Sequence, residues 1–110
     1  MLTLPLESSL TLLVLSEPRP QYKDRANGVM AVDRDTNAPL VTMDLALPMP
    51  GGRPQMLQVS IPQPGIPEGL SVGTSVRATG LTYMSGEKNG RRWEIYRASA
   101  VTPLKAERHG

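Results

Sequence analysis

With 110 residues, a formal net charge of only +2 and no cysteine, the chain suits one domain with a single modest core. The absence of cysteine excludes a disulfide framework, a thiolate nucleophile and a cysteine-based metal site. Eleven prolines and ten glycines interrupt the chain at close intervals, which favours short strands over long helices.

Met1 to Glu7 lacks the basic start of a signal peptide, and the apolar run Leu10 to Leu15 is too short to span a bilayer. A soluble, cytoplasmic protein without membrane contact is expected. Ser9 to Leu15 reads as the first strand, with Leu10, Leu12 and Val14 on one face, closed by Pro18 and Pro20. Glu17 to Gln21 is an extended linker, and Tyr22-Lys23-Asp24-Arg25 a polar cluster of basic and aromatic side chains. Asn27 to Val32 reads as a second strand that runs into a hairpin tip at Asp33 to Asn37. The Asp-x-Asp-x-Asn spacing there is like the opening of a calcium loop, but the glycine turn and the later glutamate are missing. Asp and Asn fill turns through their own local hydrogen bonds, so no metal is assigned.

Leu40 to Leu47 is the clearest strand of the first half, with Val41, Met43, Leu45 and Leu47 on one face. A Pro- and Gly-rich turn from Pro48 to Pro54 leads to Gln55 to Ile61, where Leu57, Val59 and Ile61 alternate with Met56, Gln58 and Ser60. The methionines Met30, Met43 and Met56 are expected as core filler. Asp44 is expected on the solvent side of its sheet. Pro62 to Leu70 is too rich in Pro and Gly for more than one helical turn; a packed loop anchored by Ile66 and Leu70 is expected.

Ser75 to Leu104 reads as two strands joined by the turn cluster Ser85 to Gly90, whose Asn89-Gly90 suits a hairpin needing positive φ at both central residues. From Ser75 onward there are seven basic and three acidic side chains, against five and seven before it, and three of the four aromatics (Tyr83, Trp93, Tyr96) also lie here. Cations offset phosphate charge and flat rings stack on unpaired bases, so this mixture suits a single-stranded nucleic-acid binder. The alternative is a sheet edge with solvated arginines and core aromatics. Glu17 to Arg25 and Gly86 to Arg92, polar and without apolar anchors, are expected to be mobile loops at the rim of a binding face. Trp93 and Tyr96 fall on opposite faces by strand period; Trp93, near the hairpin tip, is expected to be the exposed one.

The expected fold is all-β: one small barrel of five to six strands over residues 1–110, folded from about 9 to 102, with a flexible tail at 103–110. A small β-sandwich is the alternative. Thr74 to Gly80 followed by Trp93 to Val101 resembles the closing strands of OB-fold single-stranded DNA-binding proteins, here with the connecting helix reduced to a loop. Asp33 to Leu40 and the strand after it resemble an actinobacterial family of plasmid replication, integration and excision activators. These resemblances imply binding of single-stranded DNA, with RNA less favoured, in replication or transfer of a mobile element. The residues assigned to binding are Tyr22, Lys23, Arg25, Arg77, Tyr83, Lys88, Arg91, Arg92, Trp93 and Arg97. The remaining partners are replication or transfer proteins, for which the chain would be an interaction module, and a second copy of itself.

No enzyme is expected. The single histidine, His109, is penultimate, so no histidine triad or metal cluster can form on the folded body. The carboxylates are scattered, no glycine stretch has the context of a phosphate-cradling loop, and no catalytic residue or cofactor is assigned.

Overall fold

The computed structural model describes residues 2–6 and 10–104; the expected strand start at Ser9 and the tail at 105–110 lie outside them. The described chain forms β1 (Leu2–Pro5), β2 (Thr11–Val14), β3 (Arg19–Pro20), β4 (Tyr22–Asp24), β5 (Val29–Met30), β6 (Leu40–Leu47) and β7 (Gln55–Pro62). A single 3-10 turn at Gln63–Gly65 separates these from β8 (Ser75–Thr79), β9 (Thr82–Lys88), β10 (Arg91–Arg97) and β11 (Ala100–Pro103). The protein is therefore all-β. No helix among the described residues is long and apolar enough to cross a membrane.

The alternation at residues 40–47 and 55–62 produces the longest ladder, with β6 and β7 antiparallel from Leu40↔Pro62 to Leu47↔Gln55. One face of this pair carries Val41, Met43 and Leu45 beside Leu57, Val59 and Ile61, all buried. They meet Leu12 and Val14 of β2, Val76 and Ala78 of β8, and Leu81, Ala98 and Val101 in one core. Every second residue of four strands thus faces a common interior, and burying each large one stabilises the fold by roughly 1.5–3 kcal/mol. β6 is also covered on its other face at Leu40 and Ala46, which is why its sequence is nearly continuously apolar.

One mixed sheet runs in the order β1-β9-β10-β7-β6-β2-β8-β11, with β3 added beside β6; β4 and β5 form a separate ribbon. The β7–β10 contact is parallel, through Tyr96↔Val59 and Arg97↔Ser60. Only Ala98 and Ser99 separate β10 from β11. The Ala98 amide donates to the Ser60 carbonyl (3.1 Å) and the Ser99 amide to the Thr79 carbonyl (2.9 Å).

Several expectations need correction. The sheet is not a closed barrel: its ends are β1 and β11, and the described strands number eleven, because the last third breaks twice and the short strands β1, β3 and β4 add to those expected. Gly80 takes positive φ and sends Leu81 into the core, splitting β8 from β9. The Ala98–Ser99 step, with Ala98 buried in the core and no positive φ, splits β10 from β11. The strand expected from Asn27 to Val32 keeps only Val29–Met30, plus an isolated bridge between Val32 and Pro39. Gly86 to Arg92 is hairpin and not loop, since only Asn89 and Gly90 lie outside β9 and β10. The span Glu17 to Arg25 likewise contains β3 and β4. Met43 is fully buried as expected, but Met56 points outward from β7 and is 64% exposed.

Ile66 and Leu70 pack against the core as the sequence predicts, holding the proline-rich connection without a helix. Asn89 and Gly90 both adopt positive φ, +54° and +76°, the conformation a two-residue hairpin of this hand requires. An added Cβ at Gly90 would meet nothing within 4 Å, so backbone strain alone decides its cost. Gly90→Ala is expected to lower the denaturation free energy by about 1 kcal/mol. A urea titration with unchanged midpoint would contradict this.

Candidate nucleic-acid interface

Arg19, Thr42, Ser60 and Arg97 are register partners across β3, β6, β7 and β10, so their side chains leave the same face of the sheet, opposite the core. Two arms rise beside this row. On one side, residues 17–39 form a strap carrying the β4–β5 ribbon; on the other stands the β9–β10 hairpin. Between them lies a groove of about 600 Å³, with Gln21, Thr42, Gln58 and Ser60 along its floor. Tyr22, Arg25 and Arg34 line the strap side, and Glu94, Ile95, Tyr96 and Arg97 the hairpin side.

The strap is tied to the sheet at three points. Arg19 donates through both terminal nitrogens to the Asp44 carboxylate, each at 3.3 Å, and through Nη1 to the Ser16 hydroxyl at 2.9 Å. Asp44 lies on the sheet face opposite the core, as expected, but half-buried and with Arg19 as a specific partner. At the second point, the Gln21 amide donates to the Leu40 carbonyl (3.1 Å) and its carbonyl accepts from Ala31 (2.9 Å). Its side-chain Oε1 also accepts from Thr42 (3.2 Å) and Ser60 (2.6 Å).

The third point is Asp33, at the tip of the turn. Its Oδ2 accepts from the Thr36 hydroxyl (2.8 Å) and amide (3.1 Å), while Arg97 Nη2 donates to Oδ1 at 3.2 Å. The turn chemistry expected of Asp33 to Asn37 is thus realised, with Asn37 at φ +60°. The Thr36 hydroxyl foremost, then the Thr36 amide, Arg97 and the Asp35 amide, hold the Asp33 carboxyl below its ordinary 3.8, against an opposing effect of burial. A depressed folded-state value contributes stability that is complete above the unfolded value and lost as pH falls through the folded one. The denaturation midpoint of the parent should therefore fall more steeply below about pH 4 than that of Asp33→Asn. Parallel acid profiles for the two proteins would contradict this assignment.

Of the residues assigned from sequence, Tyr22, Arg25 and Arg97 line the groove, and Lys23 is exposed on β4 beside it. Arg25 sits over the Tyr22 ring, 5.2 Å from its centroid, in a cation–π contact that leaves both at the groove edge. Trp93 shares the outer face of β10 with Ile95 and Arg97, nearer the hairpin tip, and is half-buried. Arg91, on the same face, pairs in register with Lys88. Arg92 lies on the other face, 3.9 Å from Glu94; both are exposed, so the pair contributes little.

Tyr83 and Tyr96 face the other way, in register with each other and, for Tyr96, with buried Val59. Their centroids are 5.2 Å apart, and Tyr96 packs against the core. Burial foremost, then Tyr83 and Glu94, raise the Tyr96 hydroxyl above its ordinary value. Arg77 is exposed on β8 between Thr11 and Thr102, on strands that contribute nothing to the groove. Sequence reasoning missed Arg19, Gln21, Arg34 and Ile95 as groove residues, although the alternation of β7 already put Gln58 and Ser60 on the outer face.

Among the described residues, Arg25 and Arg34 enter no ion pair, whereas Arg19 and Arg97 are fixed by carboxylates. The groove thus combines two positioned and two unpaired guanidinium groups with tyrosine and isoleucine side chains, and Trp93 lies further along the outer face of β10, toward the hairpin tip. That combination can hold a polyanion whose flat groups turn toward the wall. Comparison of the chain with family models, with curated proteins and with solved structures gives no match.

Proposed function

We propose that this chain is a non-enzymatic binder of single-stranded nucleic acid, DNA in the first place, built on an OB-like order of strands. The observation that carries the proposal is the groove: basic and aromatic side chains from two separate arms converge on one polar sheet face. A single strand lying across β6 and β7 has phosphates near Arg25, Arg34 and Lys23, and bases facing Tyr22 on the strap and Trp93 on the hairpin. Supporting the fold is a circuit of pairings, β2 to β6 to β7 to β10, then through Ala98 and Ser99 into β11, and from β11 through β8 back to β2. Treated as one bent strand, β10 and β11 make this the five-strand order of an OB barrel, with β9 and the first part of β10 as a projecting hairpin. A setting in replication or transfer of a mobile element rests on the resemblance at residues 33–40.

The test is a fluorescence titration of the single tryptophan with oligo(dT) at several salt concentrations. Quenching with affinity that falls steeply with salt supports the proposal, because phosphate contacts release counterions. Signal without salt dependence, or no binding at low salt, overturns it. A second reading, as a protein-interaction module, draws on β1: it is an edge strand with Leu2 and Leu4 exposed (47% and 45%), open to pairing with another chain. A concentration-dependent dimer or a co-purifying protein, with no oligonucleotide affinity, would favour it.

A further inference from the structure

Gln21 is held more firmly than its place in a proline-flanked linker suggests. Two backbone hydrogen bonds and two side-chain hydrogen bonds fix it over the Thr42–Ser60 step of the groove floor. The 2.6 Å separation from the Ser60 hydroxyl matches an O–H···O bond and is short for an N–H···O one, which orients the side-chain amide with its oxygen toward the sheet. The nitrogen is left facing away from both hydroxyls. Among the described residues Nε2 makes no hydrogen bond, and no buried side-chain nitrogen or oxygen lacks a partner, so Nε2 is open to the groove that Gln21 lines. The opposite wall presents the donor Arg97, in register with Ser60, together with the Glu94 carboxylate, whose side chain leaves β10 on the other face from Arg97.

We infer that Gln21 is a fixed hydrogen-bond donor that reads the group at pyrimidine C4 or purine C6, making the groove selective for uracil, thymine and guanine, which carry a keto oxygen there, over cytosine and adenine, which carry an amino group there. The inference rests on the nucleic-acid reading proposed above and adds a ligand class to it. A keto oxygen placed against Nε2 satisfies a donor whose other half is already committed. An amino group at the same position sets donor against donor in a half-buried site and leaves both unsatisfied, which is how a polar site rejects a close analogue. The four hydrogen bonds on Gln21 hold the donor in place before the ligand arrives, so ordering it costs little at binding.

Uracil and cytosine differ at this edge while keeping the same ring and backbone. The experiment therefore compares oligo(dU) with oligo(dC) of equal length, about 15 nucleotides, with the full chain at fixed salt and mildly alkaline pH. The parent is expected to bind oligo(dU) about tenfold more tightly than oligo(dC). In Gln21→Glu the side chain still accepts from Thr42 and Ser60, but its second oxygen now faces the groove as an acceptor. The dU-to-dC ratio should fall to about one or below, whatever uniform loss the added negative charge causes. Circular dichroism confirms that the variant is folded, and Gln21→Leu, which offers neither donor nor acceptor, should give an intermediate ratio. Equal affinity of the parent for both strands, or a ratio unchanged in Gln21→Glu, overturns the inference and leaves the binding proposal standing. Binding of neither strand overturns both.

Discussion

Gly65→Ala is expected to cost about 3 kcal/mol of folding stability, more than any other glycine substitution outside the turns. A Cβ at this position would collide with the Ser99 carbonyl oxygen and lie 2.9 Å from the Ala100 Cα. These are backbone atoms, and they belong to the step at which the chain passes from β10 to β11. The amides of Ala98 and Ser99 hold that step to β7 and β8, so it cannot retreat without loosening two strands at once. A methyl group at Gly65 therefore meets a neighbour with no freedom to yield. Gly52→Ala provides the contrast: its nearest neighbour would be the Met49 Cβ at 3.9 Å, an ordinary contact, and its effect should stay within about 0.5 kcal/mol. Urea denaturation of the two variants separates them, and equal midpoints would mean that the 3-10 turn does not brace the β10–β11 step.

The parts of the fold that were legible in the sequence are those in which a local rule and the tertiary environment agree. The run from Leu40 to Leu47 alternates because one face is core, and it became β6 with the expected limits. Asn89-Gly90 formed the turn its conformational freedom suits, and Ile66 and Leu70 anchored a segment whose prolines forbid a helix. Glycine at position 80 and the small pair Ala98-Ser99 were harder to interpret. Their effect is to redirect the chain, and it depends on which strands lie on either side, information that a period of two does not contain. The strand β1 was missed for a related reason: all four of its residues are exposed, so no burial pattern marks it.

The candidate site was legible in composition and less so in geometry. Basic and aromatic side chains in the last third did mark one arm of the groove, and the cluster at Tyr22 to Arg25 marked the other. The floor between them depends on contacts between distant parts of the chain, Arg19 with Asp44, Gln21 with Ser60 and Arg97 with Asp33. Nothing local distinguishes Arg97 from Arg77: both sit on strands and both are flanked by uncharged residues. Only the sheet order, which sets β10 beside β7 and β8 beside β2 and β11, places one over the groove and the other away from it.

Replacing Trp93 by alanine is expected to weaken single-strand binding by ~1–3 kcal/mol without changing its salt dependence. The indole lies across Gly86, its register partner on β9: a Cβ there would come within 2.7 Å of Cζ2 and 2.9 Å of Cε2. Packing against the glycine backbone restricts how the half-buried ring can turn, and on the proposed reading its remaining exposed surface is what a base would stack on. A stacked base gains dispersion and ring contacts but no counterion release, so affinity should fall by a similar factor at every salt concentration. Arg34→Ala, at an unpaired guanidinium lining the groove, should do the opposite, with a modest loss of affinity and a slope reduced by roughly one ion. Arg77→Ala offers a further control, since Arg77 lies on β8 between β2 and β11, away from the groove, and should leave binding nearly unaltered. Removing the indole also uncovers Gly86, so each variant needs its own denaturation curve before affinities are compared. A folded Trp93→Ala protein that binds as tightly as the parent would take the hairpin out of the interface and shift weight to pairing along the exposed edge at β1.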